Sequence, residues 1–182
     1  MRRKKVATTI QVARLKERIR DVVDFPKKGI IFKDITTLIK DGESLKMIAD
    51  LFMDEAKKYD VDVVVGVESR GFIFAPIVAS RLGVGFVPVR KKGKLPHKTA
   101  SVSYKLEYGT DTLEIHRDAI NKADKVLVID DVLATGGTSK SVAKLIEKLG
   151  GKVSAFGFLI DLTFLKGRDK IKKYPVFSLI QY

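Results

Sequence analysis

The sequence predicts an α/β protein built on a mainly parallel sheet with helices on both faces. Two observations carry this. β-Branched apolar runs at Val61–Val67, Val84–Val89, Lys125–Ile129 and Val153–Ile160 alternate with helical segments at Phe72–Leu82 and Thr138–Leu149, the pattern of buried strands joined by crossover helices. The chain of 182 residues, 45% hydrophobic and 31% charged, suits one globular domain that buries roughly 70% of its unfolded surface.

In chain order, the opening "MRRKK" has the charge of a secretory n-region, but "VATTIQVAR" supplies no apolar h-region. Residues 1–10 therefore read as a polar tail on a cytoplasmic protein, and residues 11–182 as the single domain. Val12, Leu15, Ile19, Val22 and Val23 fall at helical spacing, which predicts a helix over Val12–Val23. Pro26 and Gly29 break the chain around Ile30–Phe32, giving a structured loop or edge strand. Leu45, Ile48, Leu51, Phe52 and Ala56 predict a second amphipathic helix over Ser44–Tyr59. Pro76 inside the Phe72–Leu82 pattern predicts a late start or a kink. The stretch Lys91–Ala119 contains Gly93, Pro96, Gly109 and short alternating pieces. It reads as a long excursion with a hairpin rather than core, and insertions of this length are commonly lids; the lid is placed at about 91–116.

Charge and composition narrow the function. A net charge of +13 points to a polyanionic partner, whether nucleic acid, anionic lipid or a phosphorylated small molecule. Part of the excess is local: Arg90–Lys105 holds six basic residues and no acidic one. The absence of cysteine removes disulfides, thiolate metal sites and cysteine nucleophiles. The apolar stretch Gly71–Ser80 is too short to cross a membrane. His97 and His116 have no spacing suited to a metal site or a triad and are taken as non-catalytic.

Open parallel sheets bind ligands beyond the carboxyl ends of their strands. Two strand ends carry unusual polar residues, "VVVGVESRG" (Val63–Gly71) and "VLVIDDVLATGGT" (Val126–Thr138). The second contains neither a Walker loop nor a dinucleotide-binding turn. Its glycines precede a helix, whose unpaired N–H groups and dipole favour an anion. Two carboxylates beside an anion are repulsive, by about 4 kcal/mol per pair at 4 Å and an effective dielectric of 20. The arrangement therefore needs a compensating cation or a different task for the acids.

The order strand, two acids, small residue, Thr-Gly-Gly-Thr and amphipathic helix resembles the type I phosphoribosyltransferases. "DFPKKGIIFKDIT", "GVESRGFIFAP", "RKKGKLP", "YKLEYGTDTLEIH", "DDVLATGGT" and "LTFLKGRDKI" extend the likeness, from about Val12 to Tyr182, to the adenine-specific branch of that family. The resemblance implies a mainly parallel sheet flanked by helices, with a small hood region and a flexible lid hairpin. It also implies transfer of a 5-phosphoribosyl group from 5-phosphoribosyl 1-pyrophosphate to adenine, with Mg2+ accompanying the sugar, in a cytoplasmic homodimer with neither membrane nor nucleic-acid partner. By the same resemblance Ala134, Thr135, Gly136, Gly137 and Thr138 wrap the 5′-phosphate, while Asp130 and Asp131 face the ribose hydroxyls. Glu68, Ser69, Arg70 and Gly71, the first two joined by a cis peptide in the family, take the pyrophosphate with Arg90, Lys91, Lys94 and Tyr108. Ile31, Phe32, Lys33 and Val132 take adenine, and Glu107 is the acid near the purine. The catalytic set is then Glu107, Asp130, Asp131 and Arg70. The chain departs from the common pattern at Lys28, Lys33 and Val132, and Lys33 lacks the bidentate fork of an arginine.

Three alternatives have distinct signatures. A transferase for hypoxanthine, guanine or xanthine would differ in the segments "GIIFKDIT" and "YKLEYGTDTLEIH". A non-catalytic regulator of the same fold normally needs an added nucleic-acid-binding domain, for which Met1–Ile10 is too short. A basic RNA-binding module would leave the acid pair without a purpose and would bind with steep salt dependence.

Overall fold

The computed structural model describes residues 2–105 and 110–182, which fall into two compact units, Met1–Leu51 and Phe52–Tyr182. In the first unit, helix α1 (Arg2–Glu17) is followed by strands β1 (Arg20–Val23) and β2 (Ile31–Asp34), the short helix α2 (Thr36–Ile39) and the start of α3 (Gly42–Ala56). Helix α1 starts at Arg2, so the expected polar tail is helical, and it stops at Glu17, short of Val23. The Arg18 and Ile19 amides turn back to the Leu15 and Lys16 carbonyls, and "RDVV" leaves as a strand antiparallel to β2. The helical spacing of Val22 and Val23 was thus misleading. β-Branched residues fit a paired strand, and the ribbon adds Lys33 Nζ to Asp21 Oδ1 at 2.7 Å and Arg20 Nη2 to Asp34 Oδ2 at 2.5 Å. Asp41 accepts from the Ser44 amide at 2.9 Å at the start of α3, satisfying one otherwise unpaired N–H.

The second unit is built on a seven-stranded sheet in the order β5-β6-β4-β3-β7-β8-β9. Its strands are β3 (Val63–Val67), β4 (Gly85–Lys91), β5 (Thr99–Lys105), β6 (Thr110–His116), β7 (Lys125–Leu133), β8 (Lys152–Asp161) and β9 (Val176–Gln181). Strands β4, β3, β7, β8 and β9 run parallel to their neighbours in that group, joined in part by α4 (Gly71–Leu82) and α5 (Gly137–Lys148). The five residues of β3 are buried without alternation, as expected of a strand covered on both faces.

Four details differ from the expectations. Helix α4 runs from Gly71 through Pro76 without the late start. Burial of Phe74, Ala75, Val78 and Ala79 offsets the hydrogen bond the proline removes. The excursion is partly core. β5 and β6 form the expected hairpin, but β6 pairs with β4 at Arg90↔Glu114 and Lys91↔Leu113, and Ala100, Leu113 and Ile115 are buried in the main cluster. Strand β7 continues through Asp130 and Asp131 to Leu133, because Asp130, Val132 and Leu133 pair with Phe158, Ile160 and Asp161 of β8. Finally, β9 and the 3-10 turns Thr163–Leu165 and Gly167–Ile171 complete a side of the sheet that periodicity did not reveal. Among the described residues no helix is long and apolar enough to cross a membrane.

Candidate active site at the carboxyl ends of β3 and β7

Strands β3 and β7 are adjacent and parallel, in register from Val63↔Val126 to Gly66↔Ile129. Their carboxyl ends therefore emerge side by side, which brings together Glu68–Gly71 and Asp130–Thr138. Two contacts join them. Arg70 Nε lies 2.5 Å from Asp131 Oδ2. A Cβ built on Gly71 would stand 2.9 Å from the Ile129 carbonyl oxygen and 3.0 Å from Asp130 Oδ1, so only glycine lets α4 begin this close to β7.

The acids occupy a site that disfavours their charge. Asp131 is 6% exposed, and burial raises its pKa, with the Arg70 guanidinium pulling the other way. Asp131 Oδ2 is close to Arg70 but has no aligned hydrogen bond among the described residues. Burial first, and then the Asp131 charge, raise Asp130 well above the ordinary carboxylate range. Asp130 Oδ1 accepts from the Asp131 amide at 2.9 Å. A strand end that needed only stability has no use for two mutually repelling acids; this pair suits a ligand with hydroxyl donors and positive character.

The loop that follows has the geometry expected of a phosphate cradle. Gly136 adopts φ 74° at the N-cap of α5, a conformation that favours glycine. It has no side chain to cap the first-turn N–H donors, which leaves them suited to an anion. Tyr104 on β5 was given no role from sequence, yet its hydroxyl lies 3.4 Å from Thr138 Oγ1 and its ring 3.7 Å from the place of a Gly137 Cβ. Burial raises the pKa of its phenol. The signal lay within "YKLEYGTDTLEIH", where only pairing of the distant β5 hairpin with the sheet could reveal it.

The first strand end has a distinct organisation. The Glu68–Ser69 peptide is cis. The Glu68 carboxylate faces Arg90, at 3.2 Å from both Nε and Nη2, and accepts from the Lys91 amide at 3.0 Å. Arg90 holds the Glu68 pKa below its usual value. Arg90 also donates to the Lys94 carbonyl at 2.9 Å, and Lys91 Nζ lies 3.4 Å from Asp111 Oδ2. Glu68 therefore holds the basic segment in place, rather than offering its own charge to an anion. Lys91 and Lys94 are exposed.

The expected adenine residues Ile31, Phe32 and Lys33 lie on β2 of the first unit, where Phe32 meets Phe25 edge to face at 5.2 Å. Val132 lies on β7 of the second. Glu107 and Tyr108 lie outside the described residues. His97 and His116, set aside from sequence, face each other with ring centroids 6.2 Å apart.

Comparisons with known proteins agree with this geometry. The phosphoribosyl transferase domain family matches residues 36–181. The adenine phosphoribosyltransferase of Clostridium botulinum (strain Eklund 17B / Type B) is 59% identical over 168 residues, covering 92% of this chain and 98% of that protein. A crystal structure of adenine phosphoribosyltransferase from Thermoanaerobacter pseudethanolicus superposes with TM-score 0.92 at 49% identity, covering 94% of this chain and 99% of the other. The Saccharomyces cerevisiae enzyme, complexed with an imino-altritol bisphosphate and adenine, superposes with TM-score 0.88 at 39% identity, again over 94% and 99%. A likeness this close over nearly the full length, on a fold whose parallel strand ends bear the acid pair and the glycine-rich loop, means that the chain belongs to the adenine phosphoribosyltransferase family.

Proposed function

We propose that the protein forms AMP and pyrophosphate from adenine and 5-phosphoribosyl 1-pyrophosphate, the purine-salvage reaction of its relatives. The observation that carries the reading is the junction of Arg70–Gly71 with Asp130–Asp131 at adjacent parallel strand ends. It joins the loop that bears Arg70 to the two acids, directly ahead in the chain of the turn Ala134–Thr138.

The proposed roles follow from charge. As the bond from the anomeric carbon to pyrophosphate loosens, the ribosyl ring becomes positive and the leaving group more negative. Asp130 and Asp131 accept from the ribose hydroxyls and stabilise the positive ring, and the N–H groups of Ala134–Thr138 hold the 5′-phosphate. Ser69, Arg70 and Gly71 with Lys91 and Lys94 stabilise the departing diphosphate, and Glu68 positions Arg90 and the Lys91 amide. Arg70 exchanges its contact with Asp131 for diphosphate oxygens, since a guanidinium fork matches both. Fixed positioning of charge and reacting atoms supplies most of the acceleration. For the base and its protonation we retain Ile31, Phe32, Lys33, Val132 and Glu107 from the family resemblance, with Tyr108 on the diphosphate side of the lid.

Mg2+ enters as part of the sugar diphosphate substrate. Among the described residues no three carboxylate or imidazole side chains converge on one point, and Mg2+ commonly binds through substrate phosphates, water and one or two carboxylates. Such an ion arrives with the substrate, and its charge neutralises the diphosphate. We also propose a single domain from residue 11 to 182, a cytoplasmic location and a homodimer. Light scattering should give about twice the chain mass of 20.3 kDa; a monomer under assay conditions refutes the dimer.

The direct test mixes the protein with the sugar diphosphate, Mg2+ and each purine in turn. AMP from adenine is expected, with far slower nucleotide formation from hypoxanthine, guanine or xanthine. Preferential use of one of those bases would reassign the specificity. No nucleotide from any purine, together with salt-dependent RNA binding, would favour a binding module.

A further inference from the structure

The turn between β8 and β9 lies against the phosphate loop with no side chain between them. A Cβ built on Gly136 would stand 2.3 Å from the Gly167 carbonyl oxygen; one built on Gly167 would stand 2.1 Å from the Ala134 carbonyl oxygen and 3.1 Å from the Gly136 nitrogen. In both directions the obstacle is backbone, which cannot change rotamer. Two backbones in direct contact transmit a displacement with little loss, as close-packed interiors do.

Gly167 is itself held by its neighbour. Arg168 donates from Nε to Asp161 Oδ2 at 2.6 Å, from Nη2 to Ser178 Oγ at 2.9 Å and from Nη1 to the Val176 carbonyl at 3.2 Å. Asp161 is 1% exposed and its Oδ1 has no hydrogen-bond partner among the described residues, so the Arg168 guanidinium against Oδ2 is what compensates this buried carboxylate. Asp161 ends β8 in register with Leu133, the last residue of β7, and the Leu162 amide donates to the Leu133 carbonyl at 3.0 Å. The turn and the phosphate loop therefore leave the sheet side by side from a common anchor.

We propose that Gly167 and Arg168 are positioning residues for the 5′-phosphate. They hold the Ala134–Gly136 backbone from behind, so that its N–H groups converge on the phosphate, and neither touches the reacting atoms. The inference rests on the reading of Ala134–Thr138 as the phosphate loop. A turn that served stability alone would affect all ligands alike; a backbone buttress affects those held by the 5′-phosphate.

The experiment measures calorimetric binding of ribose 5-phosphate, pyrophosphate and adenine, each alone, to the full chain and to Gly167→Ala and Arg168→Lys, with steady-state kinetics alongside. In Gly167→Ala, ribose 5-phosphate should bind ~10–100-fold more weakly, the scale of a small misplacement of binding groups. Pyrophosphate and adenine should stay within about twofold, as for sites that do not share partners. Arg168→Lys keeps a charge opposite Asp161 but loses the fork, so it should show a smaller loss in the same order, with KM raised for the sugar diphosphate and unchanged for adenine. Unchanged ribose 5-phosphate affinity in folded Gly167→Ala, or equal weakening of all three ligands, would overturn the proposal. If Gly167→Ala does not fold, the same criteria apply to Arg168→Lys. Failure of the unsubstituted protein to bind ribose 5-phosphate would instead overturn the phosphate-loop reading.

Discussion

Gly71→Ala sets helix propensity against close packing at the junction of the two loops proposed to be catalytic. Alanine is better than glycine inside a helix by about 0.5–1 kcal/mol, and Gly71 is the first residue of α4, where that advantage is smaller. Against it, the new Cβ would stand 2.9 Å from the Ile129 carbonyl oxygen, 3.0 Å from Asp130 Oδ1 and 3.4 Å from Asp130 Cα. The first and last of these atoms are backbone of β7, which is paired on both sides by β3 and β8 and cannot swing away. Restoring ordinary van der Waals separation requires a retreat of roughly 0.5 Å. Overpacking of this kind costs about 1–3 kcal/mol, so packing wins by about 1–2 kcal/mol, a fall in Tm of roughly 2–8 °C for a chain of this size. The same retreat moves Asp130, and kcat/KM for AMP formation should fall about tenfold or more. Thermal unfolding followed by circular dichroism and initial-rate kinetics measure the two effects. A Gly71→Ala protein that melts at or above the parent temperature with full kcat/KM would refute this reasoning.

Other consequences follow from the same charges. Asp131→Asn removes the negative charge proposed to face the ribosyl centre, and Arg70→Ala removes the cation beside the diphosphate. Each should lower AMP formation by about 10²–10³-fold while the circular dichroism spectrum is retained, and near-parental turnover in either rejects the assigned roles. Asp130 has a folded pKa well above the ordinary 3.8, so the folded state binds its proton more tightly and stability falls as pH rises from 3.8 toward the folded value. Asp130→Asn should therefore melt higher than the parent at pH 7, with the gap closing below pH 3.8, and with activity lost; an equal or lower Tm at pH 7 contradicts the burial argument. Asp34 has the opposite sign. The Thr36 amide, and then Arg20, hold its carboxyl down at about 2. It contributes stability above pH 3.8 that is lost as pH falls toward 2. Asp34→Asn should lower Tm at neutral pH and converge with the parent near pH 2, and a constant offset across that range counts against the linkage.

Much of the candidate site's local geometry was legible because its motif is local. The strand, Asp130–Asp131, the glycines and the helix fall within one continuous stretch, where a few residue types dictate the turn, the uncapped N–H groups of the helix start and the nearby acids. Tyr104 and Gly167 were not legible in the same way. Each reaches the glycine-rich loop from another strand or turn, and a tyrosine or glycine carries no periodic signal of its destination. The Val12–Val23 helix was misjudged because the spacing of valines does not distinguish a helical face from a strand that finds a partner; β2 supplied that partner.

By itself, the sequence determined the alternating strands and helices, the family resemblance and the local conformation of the glycine-rich loop, because side-chain polarity, backbone freedom and charge act over a few residues. Tertiary structure decided that the acids belong to a paired strand, that the basic excursion extends the sheet, and that Arg70 meets Asp131. It also placed the Gly167 backbone against Ala134 and Gly136. These depend on pairings between residues far apart in the chain, whose register and closeness arise only when the strands share one sheet.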